Sequence, residues 1–153
     1  MTTKLSSHSN TNHLYNEDYF LWLQNTAQLI REGRFSEIDA ANLIEEIEYI
    51  GKSEKRALES NLVVLLLHLL KYKYQPSKRS GSWKSSIREH RRRIEKAFRD
   101  SLSLKKYCEE VFTECYEDGR QQAADETGLS VNKFPIESPF TMIQTLDSDY
   151  LPE

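Results

Sequence analysis

The run Leu62-Val63-Val64-Leu65-Leu66-Leu67-His68-Leu69-Leu70 decides the fold. Wound as a helix, it is apolar on every side, and a helix without a polar face must be surrounded by other elements. A short apolar run also suits a buried strand. The lead Glu54-Lys55-Arg56-Ala57-Leu58-Glu59 favours the helix, because these are strong helix formers that carry the pattern upstream. The spacing predicts one helix from about Ser53 to Tyr74. The apolar run is broken by His68 and ends at Lys71, short of the roughly 20 apolar residues that span a bilayer.

Outward from this centre, every periodic segment reads as helix. Toward the N-terminus, a helix is predicted from about Ser36 or Asp39 to Gly51. Ala40, Leu43, Ile44, Ile47 and Ile50 form its buried face, Glu45 and Glu48 lie opposite, and Glu46 sits at the border. Before it, a helix from about Asn16 to Glu32 is capped by Asn16 and stopped by Gly33. Its buried stripe is Tyr19, Trp22, Leu23, Ala27 and Ile30. Residues 1–12 read as a disordered polar tail.

Toward the C-terminus, Gln75-Pro76-Ser77-Lys78-Arg79-Ser80-Gly81-Ser82 is a loop by composition. A helix from about Trp83 to Arg99 follows, with Trp83, Ile87, His90, Ile94, Ala97 and Phe98 inward. The next runs from about Leu104 to Glu126 and stops at Gly128. Tyr107, Cys108, Val111, Phe112, Cys115 and Ala123 lie on its stripe. A short helix opened by Ser138-Pro139 closes the chain, with Ser as cap and Pro at the first helical position.

The expected fold is all-α: a single bundle, residues 13–153, of about five main helices around a buried central helix, with a docked C-terminal segment. A chain of 153 residues with 38% hydrophobic and 29% charged side chains can bury such a core. Five Gly and four Pro are too few for a turn-rich all-β protein. Cys108 and Cys115 stand two helical turns apart, about 10.5 Å of rise. A disulfide needs Cα atoms within roughly 7 Å, so both read as reduced core thiols. With no leader-like opening, a cytoplasmic location is expected.

The charges are sorted. Residues 71–106 carry 13 basic and 3 acidic side chains, whereas residues 107–153 carry 2 and 11. Lys78 and Arg79 in the loop, with Lys84, Arg88, Arg92, Lys96 and Arg99 on one helix face, could track the phosphates of a nucleic acid or meet an acidic protein. Arg91 and Arg93 fall at the borders of that face. Trp83 could stack on a base, although it lies on the apolar stripe. The competing reading pairs the basic helix with Glu110, Glu114 and Glu117 of the acidic helix that follows.

Two other constellations invite chemistry. Glu45 and Glu48, with Glu114 and Asp118, could ligate Mg²⁺, the set a bundle phosphoester or nucleotide hydrolase would use. Glu45 and Glu48 face away from the predicted core, which favours solvated carboxylates. His68 and His90 sit on apolar faces and read as hydrogen-bonded core histidines rather than metal ligands, because no Glu-x-x-His or His-x-x-x-His spacing surrounds them. No Gly-rich phosphate loop or nucleophile elbow occurs.

Taken together, the segments resemble a known family. They are Tyr19-Phe20-Leu21-Trp22-Leu23, Leu29-Ile30-Arg31-Glu32-Gly33-Arg34-Phe35, Asn42-Leu43-Ile44-Glu45-Glu46-Ile47-Glu48, and Gly51 through Ser60. Ser82-Trp83, Arg88 through Ile94, Tyr116-Glu117-Asp118, Glu126-Thr127-Gly128-Leu129 and Leu151-Pro152-Glu153 continue the pattern. The chain is similar, from about Leu14 onward, to the uncharacterised bacterial family called domain of unknown function 29, abundant in cyanobacteria. The resemblance implies an all-helical fold and carries over no activity, cofactor or functional residue. The functional expectation therefore rests on the charges: a non-enzymatic interaction module with its basic helix, residues 78–99, turned to an acidic protein or nucleic acid. The alternative is the Mg²⁺-dependent hydrolase. No cofactor, catalytic residue or membrane contact is expected, and the oligomeric state stays open.

Overall fold

The computed structural model describes residues 13–153, so the expected tail 1–12 lies outside the described residues. All regular structure in that span is helical. The main elements are α1 (Tyr19–Arg31), α2 (Ala40–Tyr74), α3 (Gly81–Asp100), α4 (Ser103–Thr127) and the short α5 (Met142–Leu146). They fall into two compact units divided between Lys52 and Ser53.

The N-terminal unit holds α1 and the first turns of α2. Residues 13–17 are already helical, so Asn16 does not cap α1. The cap is Asp18, whose carboxylate accepts from the Leu21 N–H at 3.0 Å. The end of α1 is as predicted. Gly33 takes φ +70°, and the N–H groups of Gly33 and Arg34 return to the carbonyls of Ile30 and Leu29, the paired closure that a left-handed residue permits. The predicted α1 stripe is only partly covered. Trp22 and Thr26 are buried, but Tyr19, Leu23 and Ile30 are exposed. Ile44, Ile47 and Ile50 are likewise exposed, which corrects their expected burial.

The two helices predicted on either side of Gly51 are one. α2 runs unbroken for 35 residues. A glycine ends a helix by adopting positive φ, and only Gly33 and Gly128 do so among the described residues. Gly51 keeps helical dihedrals inside Lys/Glu/Arg-rich sequence that favours propagation.

The C-terminal unit is a bundle around residues 58–70 of α2. Leu62, Leu65, Leu66, Leu69 and Leu70 are fully shielded, and Ile87, Ile94, Cys108 and Tyr116 close over them. The helix is enclosed on most sides, as an all-apolar run requires. Asn61, Val64, His68 and Lys71, three or four residues apart, mark the one side left half-open. α4 approaches α2 closely at Gly119, where a Cβ would stand 3.2 Å from the Val63 carbonyl oxygen and 3.3 Å from Leu66 Cβ. Glycine is the residue that lets these two helices touch.

The C-terminal segment is docked as expected, by three arginines whose fork of donors captures backbone oxygens. Arg120 Nε donates to the Phe134 carbonyl at 3.0 Å. Arg91 Nε and Nη2 donate to the Thr145 and Gln144 carbonyls at 2.8 and 3.3 Å. Arg79 Nη2 reaches the Pro152 carbonyl at 3.3 Å, while its Nε holds the Tyr72 carbonyl at 2.8 Å. Tyr116 adds a bond from its hydroxyl to the Pro135 carbonyl at 2.6 Å. Ser138-Pro139 does not open the last helix. Ser138 closes a tight turn onto Phe140, and Thr141 caps α5 with Gln144 reaching back. The threonine supplies the reciprocal pair of bonds that defines a capping box.

Candidate functional site

The basic surface is built on α3. Ser80 caps the helix, its hydroxyl accepting from the Trp83 N–H at 3.4 Å. Ile87 and Ile94 anchor the inner face in the core. At about 100° per residue, this anchoring turns Lys84, Arg88, Arg92, Lys96 and Arg99 to one outer arc, and all five are exposed.

The arc is not neutralised by α4. Among the described residues no ion pair joins α3 to Glu110, Glu114 or Glu117, so the expectation of a charge-paired helix interface is corrected. Glu117 instead holds Arg120 of its own helix at 3.4 Å. Within α3, Arg92 and Arg93 converge on Glu89 at 2.7 and 3.0 Å. The two guanidiniums bring the Glu89 carboxyl down to about 2. Lys84, Arg88, Lys96 and Arg99 stand without such a partner among the described residues.

Two of the predicted contact residues have other duties. Arg79 is folded against the Tyr72 ring, 4.3 Å from its centroid, and ties down the C-terminus. It is a structural clasp rather than part of the outer arc. Trp83 is half-buried, packs on the core and lies under the Lys71 ammonium at 4.8 Å. One face of its ring is taken by that ammonium. Lys78 is exposed in the turn before α3.

A cleft borders the arc, between α3 and the chain after α5. One lobe of about 370 Å³ is lined by Arg88, Arg91, Arg92, Glu95, Leu146 and Asp149. A second of about 340 Å³ is lined by Arg91, Ile94, Phe98, Leu146 and Asp147. Arg91 belongs to both. Burial lowers its pKa, with Asp147 and Tyr150 opposing, and its donors hold carbonyls rather than a carboxylate. The sequence placed Arg91 at the border of the apolar stripe, and nothing there marked it as the residue that docks α5.

The other candidates are ordinary. His68 Nδ1 meets the Val64 carbonyl at 2.8 Å and His90 Nδ1 meets the Ser86 carbonyl at 2.7 Å, so each satisfies the backbone one turn earlier. Glu45, Glu48, Glu114 and Asp118 are exposed. Among the described residues no group of three or more ligating side chains could hold a metal ion. Glu46, placed at a border by the sequence, accepts from the hydroxyls of Tyr15 and Tyr19, and these bonds hold its carboxyl below the usual range. Cys108 and Cys115 are free and buried, and burial pushes their thiols up to about 11 and about 12. Neutral thiols of this kind pack and do not attack. No described helix is long and apolar enough to cross a membrane.

The family described as Domain of unknown function DUF29 matches residues 14–151. No curated protein and no solved structure matches the chain.

Proposed function

This chain belongs to the DUF29 family, whose description carries no activity, and we infer its role from geometry: an interaction module that binds a polyanionic partner on the outer face of α3. The single observation that carries the reading is the unneutralised arc, Lys84, Arg88, Lys96 and Arg99, held rigid by the buried face behind it. Exposed like charges repel one another and cost free energy unless a counter-charge meets them. Exposed Glu95 lies within the same arc and offsets one of these charges, the acidic helix next in sequence adds none, and the net positive charge left over is the feature an external anion would meet. A cytoplasmic setting, where nucleic acids and acidic proteins abound, belongs to the same proposal. The carboxylates of the hydrolase alternative are scattered on exposed surface, and no observation favours that reading.

The test is binding of the full chain to a labelled mixed-sequence oligonucleotide and to polyglutamate, read by anisotropy across a salt series. Nucleic-acid affinity should fall linearly on logarithmic axes as salt rises, because each phosphate contact releases a counterion. Replacing Arg88 and Lys96 with Ala should lower that slope by about 1 for each phosphate no longer neutralised. Binding to polyglutamate alone would assign the face to an acidic protein. No binding to either at low salt rejects the proposal.

A further inference from the structure

We propose that the apolar face of the N-terminal unit is the surface through which two copies of this chain associate. Ten of the fourteen large apolar side chains exposed among the described residues lie between Tyr19 and Ile50. That span is 32 residues of the chain, so the exposure is concentrated rather than scattered.

The bare residues form arcs. On α1, Tyr19, Ile30, Leu23 and Phe20 occupy successive positions within about 100° of the helix surface. They adjoin the arc of Trp22 and Thr26, which is covered. On α2, Ile50, Ile47 and Ile44 span an arc of about 120° that also holds the half-buried Leu43, with the half-buried Glu46 beside it. A short connection makes neighbouring helices antiparallel. In an antiparallel pair, arcs displaced in the same rotational sense from the line of contact turn to the same side. The two helices therefore present one apolar face, extended at the turn by Phe35, which is 67% exposed.

Size and chemistry select the occupant. Phe20 at 68% and Phe35 at 67% exposure present about 200–350 Å² between them, at roughly 150–250 Å² per aromatic side chain. The six aliphatic and tyrosine neighbours bring the face to about 800 Å², the area each partner contributes to a standard interface. It exceeds the roughly 300–600 Å² of the largest patch on an ordinary monomer. The arcs contain no charge, while Glu45, Glu48, Arg31 and Arg34 lie outside them, the arrangement of an apolar interface core with a polar rim. Residues 13–52 carry eight acidic and three basic side chains. This excess repels an anionic membrane or a nucleic acid; between two copies it is carried on the rim, and the contact itself is made by the uncharged arcs. The unit itself needs one, because among residues 13–52 only Trp22 and Thr26 are buried. Two copies related by a twofold axis place bare arc on bare arc, and two two-helix layers become a four-helix core.

The experiment is sedimentation equilibrium of the full chain over a dilution series. The expected mass is twice the 18.0 kDa of one chain, dissociating on dilution, and the double variant Ile44→Glu, Ile47→Glu should be monomeric with unchanged helicity by circular dichroism. If that variant does not fold, Phe35→Ser, at the exposed turn, should raise the dissociation constant at least tenfold. A wild-type chain that is monomeric at every concentration overturns the proposal and assigns the face to a different protein or to the chain's own remainder. A folded Glu variant that remains dimeric overturns it as well, by moving the interface elsewhere. Neither result bears on the basic arc of α3, which is read by anion binding.

Discussion

At the scale of single residues, side chains of one type serve opposite ends according to how far their backbone is turned toward the core. Arg91, on the inner border of α3, is buried and spends its donors on two carbonyls, whereas Arg88, three residues earlier, is exposed and makes no ion pair among the described residues. His68 shows a third outcome. It interrupts the most apolar run of the chain yet lies on the half-open side of α2, donating to the Val64 carbonyl. Burial holds its imidazole below the ordinary value of 6.5, with Lys71 acting the same way and Glu126 and the Val64 carbonyl opposing. The neutral ring is thus preferred in the folded chain. As pH falls through 6.5 the unfolded chain takes up a proton that the folded chain refuses, so stability drops between 6.5 and the lower folded value. Above 6.5 this contribution is fully present. Replacing His68 with Gln, which keeps a donor for Val64, should flatten the pH dependence of chemical denaturation between pH 7.5 and 5 relative to wild type. Contributions from titrating groups that do not interact with His68 cancel in that difference, so parallel curves for the two proteins would sink the claim.

At the scale of elements, the sequence carries helix existence well and helix punctuation less well. The 3.6-residue stripes around Ile87 and Ile94, and around Cys108 and Cys115, are legible because packing repeats them over several turns. Ends are set by single bonds. Asp18 rather than Asn16 caps α1, and Thr141 rather than Ser138 caps α5, because the choice depends on which side chain reaches a free N–H two or three residues on. Gly51 is the instructive error. Its residue type signals a stop, but a stop also needs a left-handed turn, and the residues after it continue the helix. Gly51 has nothing within 4 Å of where a Cβ would sit. Ala there should raise stability by about 0.4–1 kcal/mol, by restricting the unfolded chain and improving helix propensity. The readout is the denaturation midpoint with helicity by circular dichroism. A loss of stability would mean that residue 51 leaves the helix in solution. The basic face of α3 was equally legible, since five residues at fixed spacing need only a helix to align them. What faces that arc was not legible. Sorted charge along a chain says nothing of which helices become neighbours, and the acidic α4 turns its carboxylates elsewhere.

At the scale of the molecule, protection from solvent is uneven along one continuous helix. Residues 58–70 of α2 are enclosed by Ile87, Ile94, Leu104, Cys108 and Tyr116, while residues 44–50 of the same helix leave Ile44, Ile47 and Ile50 more than half bare. Their hydrogen bonds are of one kind, so any difference in how often they open comes from packing. Local opening costs little where few apolar contacts break and approaches the global unfolding free energy where the core must be breached. Residues 62–70 are apolar on every side, whereas residues 40–50 carry an apolar stripe on one face only, but a stripe at helical spacing also reads as a core face, which is why sequence alone assigns both to a core. Whether a one-sided stripe is covered depends on the surrounding layers, and their number is a property of the assembled chain. Hydrogen exchange read by mass spectrometry should therefore show peptides from residues 58–70 exchanging only through global unfolding. Peptides from residues 40–52 should exchange at least tenfold faster in dilute protein. If two copies meet through the N-terminal face, the fast peptides should slow as concentration rises, by the mass action that links association to stability. The protection of residues 58–70 should follow only to the extent that global stability itself increases. Uniform slow exchange along all of α2 at high dilution would contradict this division. It would require a covering for Ile44 and Ile47 that the described residues do not supply.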